Sequence, residues 1–141
     1  MFHARMPDIQ RTWIELDGRQ CGARPEGNVP IGGGSGYSAT PQDGHHRVGT
    51  LEGLLEALES ARAGEVVWIE GEVEIDCTVR VRIEELVIEI PEGVTLAGER
   101  GRGGSRGAVL RSDEFATRPL LRPTGPNVRV TGLRLRGPDP D

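Results

Sequence analysis

Asn127-Val128-Arg129-Val130-Thr131-Gly132-Leu133-Arg134-Leu135-Arg136-Gly137 is the stretch that decides the fold. Val128 and Val130 alternate with polar residues, and so do Leu133 and Leu135. Successive side chains on a strand point to opposite faces, so the odd step from Val130 to Leu133 puts the second pair on the wrong face of a straight strand. A bend at Thr131-Gly132 lets all four point inward. The phrase recurs. Leu86, Ile88 and Ile90 alternate, Pro91-Glu92-Gly93 turns, and Val94 and Leu96 resume before Gly98. Ile69, Gly71, Val73 and Ile75 read as another copy. Strand, corner, strand at a recurring interval is the mark of a coiled β-solenoid.

Val73 to Val94 and Ile75 to Leu96 are each 21 residues apart. Val94 to Leu133 is 39, with Ala108-Val109-Leu110 between them to supply a missing turn. One coil cannot bury its own apolar face, so coils of roughly twenty residues must stack. An antiparallel sandwich also has short strands at regular intervals, but the parity breaks at the corners favour the solenoid. The expected fold is therefore all-β: a short right-handed parallel β-helix with an N-terminal capping α-helix. Val73, Ile75, Ile88, Ile90, Val94, Leu96, Val128, Val130, Leu133 and Leu135 are expected to point inward.

Thr50 to Ala63 carries the helical pattern. Leu51, Leu54, Leu55, Leu58 and Ala61 fall on one stripe, with Thr50 suited to the N-cap and Gly64 to the position just past the end. A helix here can cover the apolar end of the first coil; a partner-binding helix is the other reading. Residues 1–49 read as a loop-rich N-terminal segment, with a strand and turn at Trp13–Gly18. The Gly-rich stretch Ile31–Tyr37 lacks the following helix and Lys of a phosphate-cradling loop and reads as a flexible approach. Residues 50–141 read as the capping helix and first coils of an incomplete domain.

Four phrases in order resemble the N-terminal part of the pectate-lyase-like (pectin lyase fold) right-handed parallel β-helix proteins. The family phrase V-x-T-L-x-x-L-x-x-A-L stands as Val48-Gly49-Thr50-Leu51-Glu52-Gly53-Leu54-Leu55-Glu56-Ala57-Leu58. A short G-x-I strand is matched by Val67 to Val73, the T-I-x-G-x-G phrase by Val94 to Gly101, and N-V-I-I-R-N-L-x-I by Asn127 to Leu135. The resemblance covers about residues 48 to 137. It implies action on, or binding of, acidic polysaccharide, and Ca²⁺ in a full-length homologue. Family members are mostly extracellular. In pectate lyases the Ca²⁺-binding carboxylates and the Arg base follow the phrase matched at Asn127, so no catalytic residue of the family is carried onto this sequence. The expectation is the first part of such a protein, with no catalytic residue, metal site or cofactor of its own and no activity alone. A longer chain would be a polysaccharide lyase or glycoside hydrolase; the alternative is a non-catalytic binding or structural module.

At 141 residues the length suits one domain with a real core. All 17 basic side chains are Arg, so no Lys can serve as base or Schiff-base former. A net charge of −5 argues against nucleic acid as a partner. The charge is unevenly placed. Residues 50–99 hold 13 acids and 3 Arg, whereas residues 100–136 hold 9 Arg against Asp113 and Glu114. One reading is pairing between stacked strands. The other is a basic surface for an acidic ligand such as a polyuronate, with Arg129, Arg134 and Arg136 as the substrate-binding candidates, since an Arg fork grips a carboxylate with two bonds.

Glu70, Glu72, Glu74 and Asp76 share one face at spacings of roughly 7 Å, too wide for one ion to engage all four, although two of them with outside ligands could bind Ca²⁺; Arg80 and Arg82 are placed to neutralise them, and a solvated, partly paired face is the favoured reading. His45-His46 lacks a third ligand nearby and reads as loop histidines. The tract Arg100–Gly107 resembles an RNA-binding RGG tract but is short and lacks aromatics. It reads as a loop where a carbohydrate carboxylate can dock. Cys21 and Cys77 are open to either one disulfide or two thiols. The N-terminus shows no signal-peptide pattern, and no window approaches a membrane span; the location stays open. The strand ending at Leu135 is expected to expose an unpaired edge and to promote self-association.

Overall fold

Asp17 and Gly18 both take positive φ, 48° and 74°. A two-residue turn of that kind matches the twist of paired strands. It joins β1 (Trp13–Leu16) to β2 (Arg19–Gly22) as an antiparallel hairpin, Leu16 opposite Arg19. The structure is a computed structural model and describes residues 13–22, 41–114 and 119–138. The hairpin belongs to a first unit, Met1–Thr40, and the remainder to a second, Pro41–Asp141. The Gly-rich stretch 31–37 lies outside the described residues.

The second unit runs β3 (His46–Val48), α1 (Leu51–Ser60), β4 (Val66–Ile69), β5 (Glu74–Asp76), α2 (Thr78–Glu84), β6 (Ile88–Ile90), β7 (Thr95–Gly98), β8 (Val109–Arg111), β9 (Leu121–Pro123), β10 (Arg129–Thr131) and β11 (Arg134–Arg136). Its strands pair in parallel. One sheet has the order β3-β4-β7-β10, a second β5-β8-β11, and a third holds β6 and β9. The core is built of columns across these sheets. Val67, Leu96 and Val130 share one, and Ile75, Leu110 and Leu135 another. The inner members are buried, but Val130 is 40% and Leu135 59% exposed. Those two were expected inside. They hold core register, yet among the described residues no strand lies beyond them.

α1 closes the other side. Thr50 is its N-cap, the side chain accepting from Gly53 N–H at 3.1 Å. Gly53 is tolerated because a Cβ there would press to 3.1 Å from that same Thr50 oxygen. Leu51, Leu54, Ala57 and Leu58 are buried, and the helix packs on β3, β4 and β6. It ends at Ser60 with Ala61 as extended C-cap, three residues before the expected boundary, so Gly64 is not its terminator.

The all-β expectation is overturned: the architecture is α/β, with two helices among parallel sheets. The even period also fails. Ile75 and Leu96, spaced by 21, stand in different sheets. Leu96 pairs instead with Val67, 29 residues earlier, and Ile75 with Leu110, 35 residues later. The matching phrases do supply neighbouring strands, β4 beside β7 and β7 beside β10, but in a register and at a spacing other than the expected 21 residues. The segment Thr78–Glu84, expected as a plain connection, is α2. Asp76 turns the chain into it, Oδ1 accepting from Thr78 N–H at 2.9 Å and Thr78 Oγ1 at 2.5 Å. Val81 is buried, and Glu85 ends the helix at φ 54° with its N–H on the Val81 carbonyl.

Candidate functional site

Gly132 turns the chain from β10 in one sheet to β11 in another, at φ 70°. A Cβ there would meet the Gly98 carbonyl oxygen at 2.1 Å, so only glycine fits the corner. Two further contacts build a loop onto this corner. Arg100 N–H donates to Gly132 O at 3.0 Å, and a Cβ on Gly107 would lie 2.6 Å from Arg100 Cβ. The loop 99–107 therefore begins and ends against the start of β11. Its middle is pinned by Arg102, whose guanidinium stacks 5.3 Å from the Trp68 ring centre and donates to the Pro41 carbonyl.

Between this loop and the faces of β5, β8 and β11 lies a cleft of about 540 Å³. Arg100, Arg106, Arg134 and Arg136 line it, with Glu72 and Glu74. The two carboxylates are engaged. Glu72 accepts from Arg106 N–H at 2.7 Å and pairs with its side chain at 3.5 Å. That backbone N–H bond, aided by the Arg106 charge and opposed by partial burial, holds the Glu72 carboxyl below the usual range. Glu74 pairs with Arg111, which also meets Asp76 and Asp113, each at 2.8 Å. Arg134 is fixed by the backbone: Nε and Nη2 donate to Gly107 O at 3.1 and 2.8 Å. That bond orients the guanidinium without cancelling its charge. Among the described residues no carboxylate forms a direct ion pair with Arg100, Arg134 or Arg136, although the Arg134 charge also helps to hold Glu72 ionised.

Of the three Arg candidates read from sequence, the structure brings Arg134 and Arg136 together on β11 and into the cleft. Arg129 lies on β10, in a different sheet, and does not line it. Arg100 and Arg106 join the site instead, and their signal was the Arg-Gly tract. The acid row is neutralised as expected, but by other partners. Glu70 pairs with Arg47, Glu72 with Arg106, and Glu74 and Asp76 with Arg111. Arg80 turns to Glu52 and Glu84, and Arg82 to Glu114. α2 carries those two arginines away from the row.

His46 is in β3, not in a loop, with Nε2 3.4 Å from Glu65 Oε1; His45 Nδ1 accepts from Val66 N–H at 3.0 Å. The pair is bound into the sheet edge, and among the described residues no cluster of three or more His, Cys, Asp or Glu could hold a metal ion. Cys77 is a buried free thiol, pushed up to about 11 by burial first and the Asp76 charge second. No described helix is long and apolar enough to cross a membrane. No family model, curated protein or solved structure matches the chain.

Proposed function

We propose that this protein binds an acidic saccharide through its carboxylates, in the cleft between β11 and the 99–107 loop. One observation carries the reading: Arg100, Arg134 and Arg136 converge on a space whose own carboxylates are already taken. A planar guanidinium held in place by a carbonyl, as Arg134 is by Gly107, is preorganised to accept a ligand carboxylate with two parallel bonds. The cleft is open and mostly polar in outline, which suits a hydrated sugar chain.

The proposed role is binding. Glu72, held ionised by Arg106, is a weak base and a poor proton donor near neutral pH. The test is calorimetric titration with trigalacturonate, with a neutral galactose trimer as control. The acidic trimer alone should give binding heat, weakened by added salt, and lost when Arg100 and Arg136 are both replaced by Ala. Equal heats from the two sugars, or no loss in the double variant, would end the proposal.

A further inference from the structure

Arg134 N–H donates to Ala108 O at 2.8 Å, and Arg136 O accepts from Ser112 N–H at 3.1 Å. Both groups point inward to β8. Backbone groups alternate along a strand, so the N–H and C=O of Leu135 point outward from the sheet. β11 is the edge of its sheet, and among the described residues nothing pairs with that outer side.

We infer that the outer edge of β11 takes up an extended segment of another polypeptide in which apolar residues alternate with Asp or Glu. The sheets themselves set the rule. Acids on one strand answer Arg on its neighbour: Glu74 and Asp76 of β5 meet Arg111 of β8, and Glu89 of β6 meets Arg122 of β9. β11 repeats β8 one strand further out, Leu135 over Leu110 and Arg136 over Arg111. An added strand would place one side chain over Leu135, which is 59% exposed, and its neighbours over Arg134 and Arg136. The fitting pattern is acid, apolar, acid. Main-chain bonds supply affinity in such strand addition, and alternate side chains supply selectivity.

A second copy fits less well. Two β11 edges meeting antiparallel would oppose Arg134 of one to Arg136 of the other. A copy arriving head to tail would offer β5, whose Glu74 and Asp76 are already held by Arg111. This inference does not depend on the saccharide reading, and Arg100 separates the two, since it lines the cleft but is not on the strand edge.

The probe is a labelled peptide centred on Glu-Val-Glu-Ile-Asp, the sequence of residues 72–76, followed by fluorescence anisotropy with the full chain. It should bind, and a Glu-Ser-Glu-Ser-Asp peptide should bind about tenfold more weakly or worse. Leu135→Asp should lose the first peptide while melting like the parent, and Arg100→Ala should keep it. Hydrogen exchange at the Leu135 amide should slow when the peptide is bound. Equal binding of the two peptides, or an unprotected Leu135 amide, would overturn the inference. So would a dimer seen by sedimentation whose formation excludes the peptide.

Discussion

Arg136 lies one strand beyond Arg111 in the same column of a parallel sheet, and of these two only Arg111 is met by carboxylates among the described residues. The inner guanidinium is a structural counter-ion for Glu74, Asp76 and Asp113. The outer one borders the cleft with its charge unanswered. Two identical side chains, one strand apart, thus differ: one braces the fold, and the other borders the cleft proposed to take a ligand.

Replacing each in turn should separate those roles. Arg111→Ala leaves three carboxylates crowded together and should lower the melting temperature. Arg136→Ala removes an exposed side chain and should leave melting unchanged while weakening uronate binding. Thermal melts and titrations on both variants check this; equal melting of the two would contradict the division.

Acid should loosen the second unit. Asp76 is held below its ordinary value of 3.8 first by the Thr78 hydroxyl, then by Thr78 N–H and Arg111, against partial burial. Because the folded value is depressed, its contribution is present above the unfolded value and is lost as pH falls through the folded one. Denaturant midpoints should therefore drop below about pH 4. Asp76→Asn should be less stable at neutral pH and show a flatter decline in that acid range.

Leu54 is fully buried on the inner face of α1. Leu54→Ala should cost about 3 kcal/mol, from lost burial and the cavity left behind. Urea unfolding followed by circular dichroism measures it. A loss under about 1 kcal/mol would mean that α1 does not close the core.

Gly132→Ala should be among the most damaging changes at a corner. The new Cβ combines a strained positive φ with a 2.1 Å clash against backbone, which no side-chain movement relieves. The expected result is a lower denaturant midpoint together with weaker saccharide binding, since the corner seats Arg100 and Arg134. Gly137, with open space around it, should accept Ala without effect on stability.

Cys77 should resist alkylation in the folded chain. With its thiol pushed up to about 11 and fully buried, little thiolate is accessible near pH 8. In a Cys21→Ser background, iodoacetamide should label Cys77 only after unfolding, as read by intact mass.

β5, β6, β7, β10 and β11 were legible from the sequence because each carries apolar alternation, and the corner at Gly132 because parity breaks there; β3, which begins at one of the supposed loop histidines, and β9 carry no such signal. α1 was legible because its stripe and Thr50 cap are local. The pairing was not, because Ile75 and Leu96 look alike as buried strand residues whichever sheet they join. α2 was hidden for a related reason: Val79, Val81 and Ile83 alternate like a strand, and only the Asp76 grip on Thr78 turns them into a helix. That helix leaves Val79 and Ile83 exposed, the opposite of a core signal. For the site, sequence marked the basic C-terminal stretch and two of its residues. It could not show that Arg129 joins another sheet, or that the Arg-Gly loop folds back beside β11.

A ligand carboxylate received in the cleft beside β11 would perturb the residues that line it. The direct measurement is an amide-resolved NMR titration of the full chain with trigalacturonate. Saturable shifts are expected at residues 100–107 and 134–136, with α1 and β3 unmoved. No shifts at saturating sugar, or shifts confined to residues outside that cleft, would contradict it.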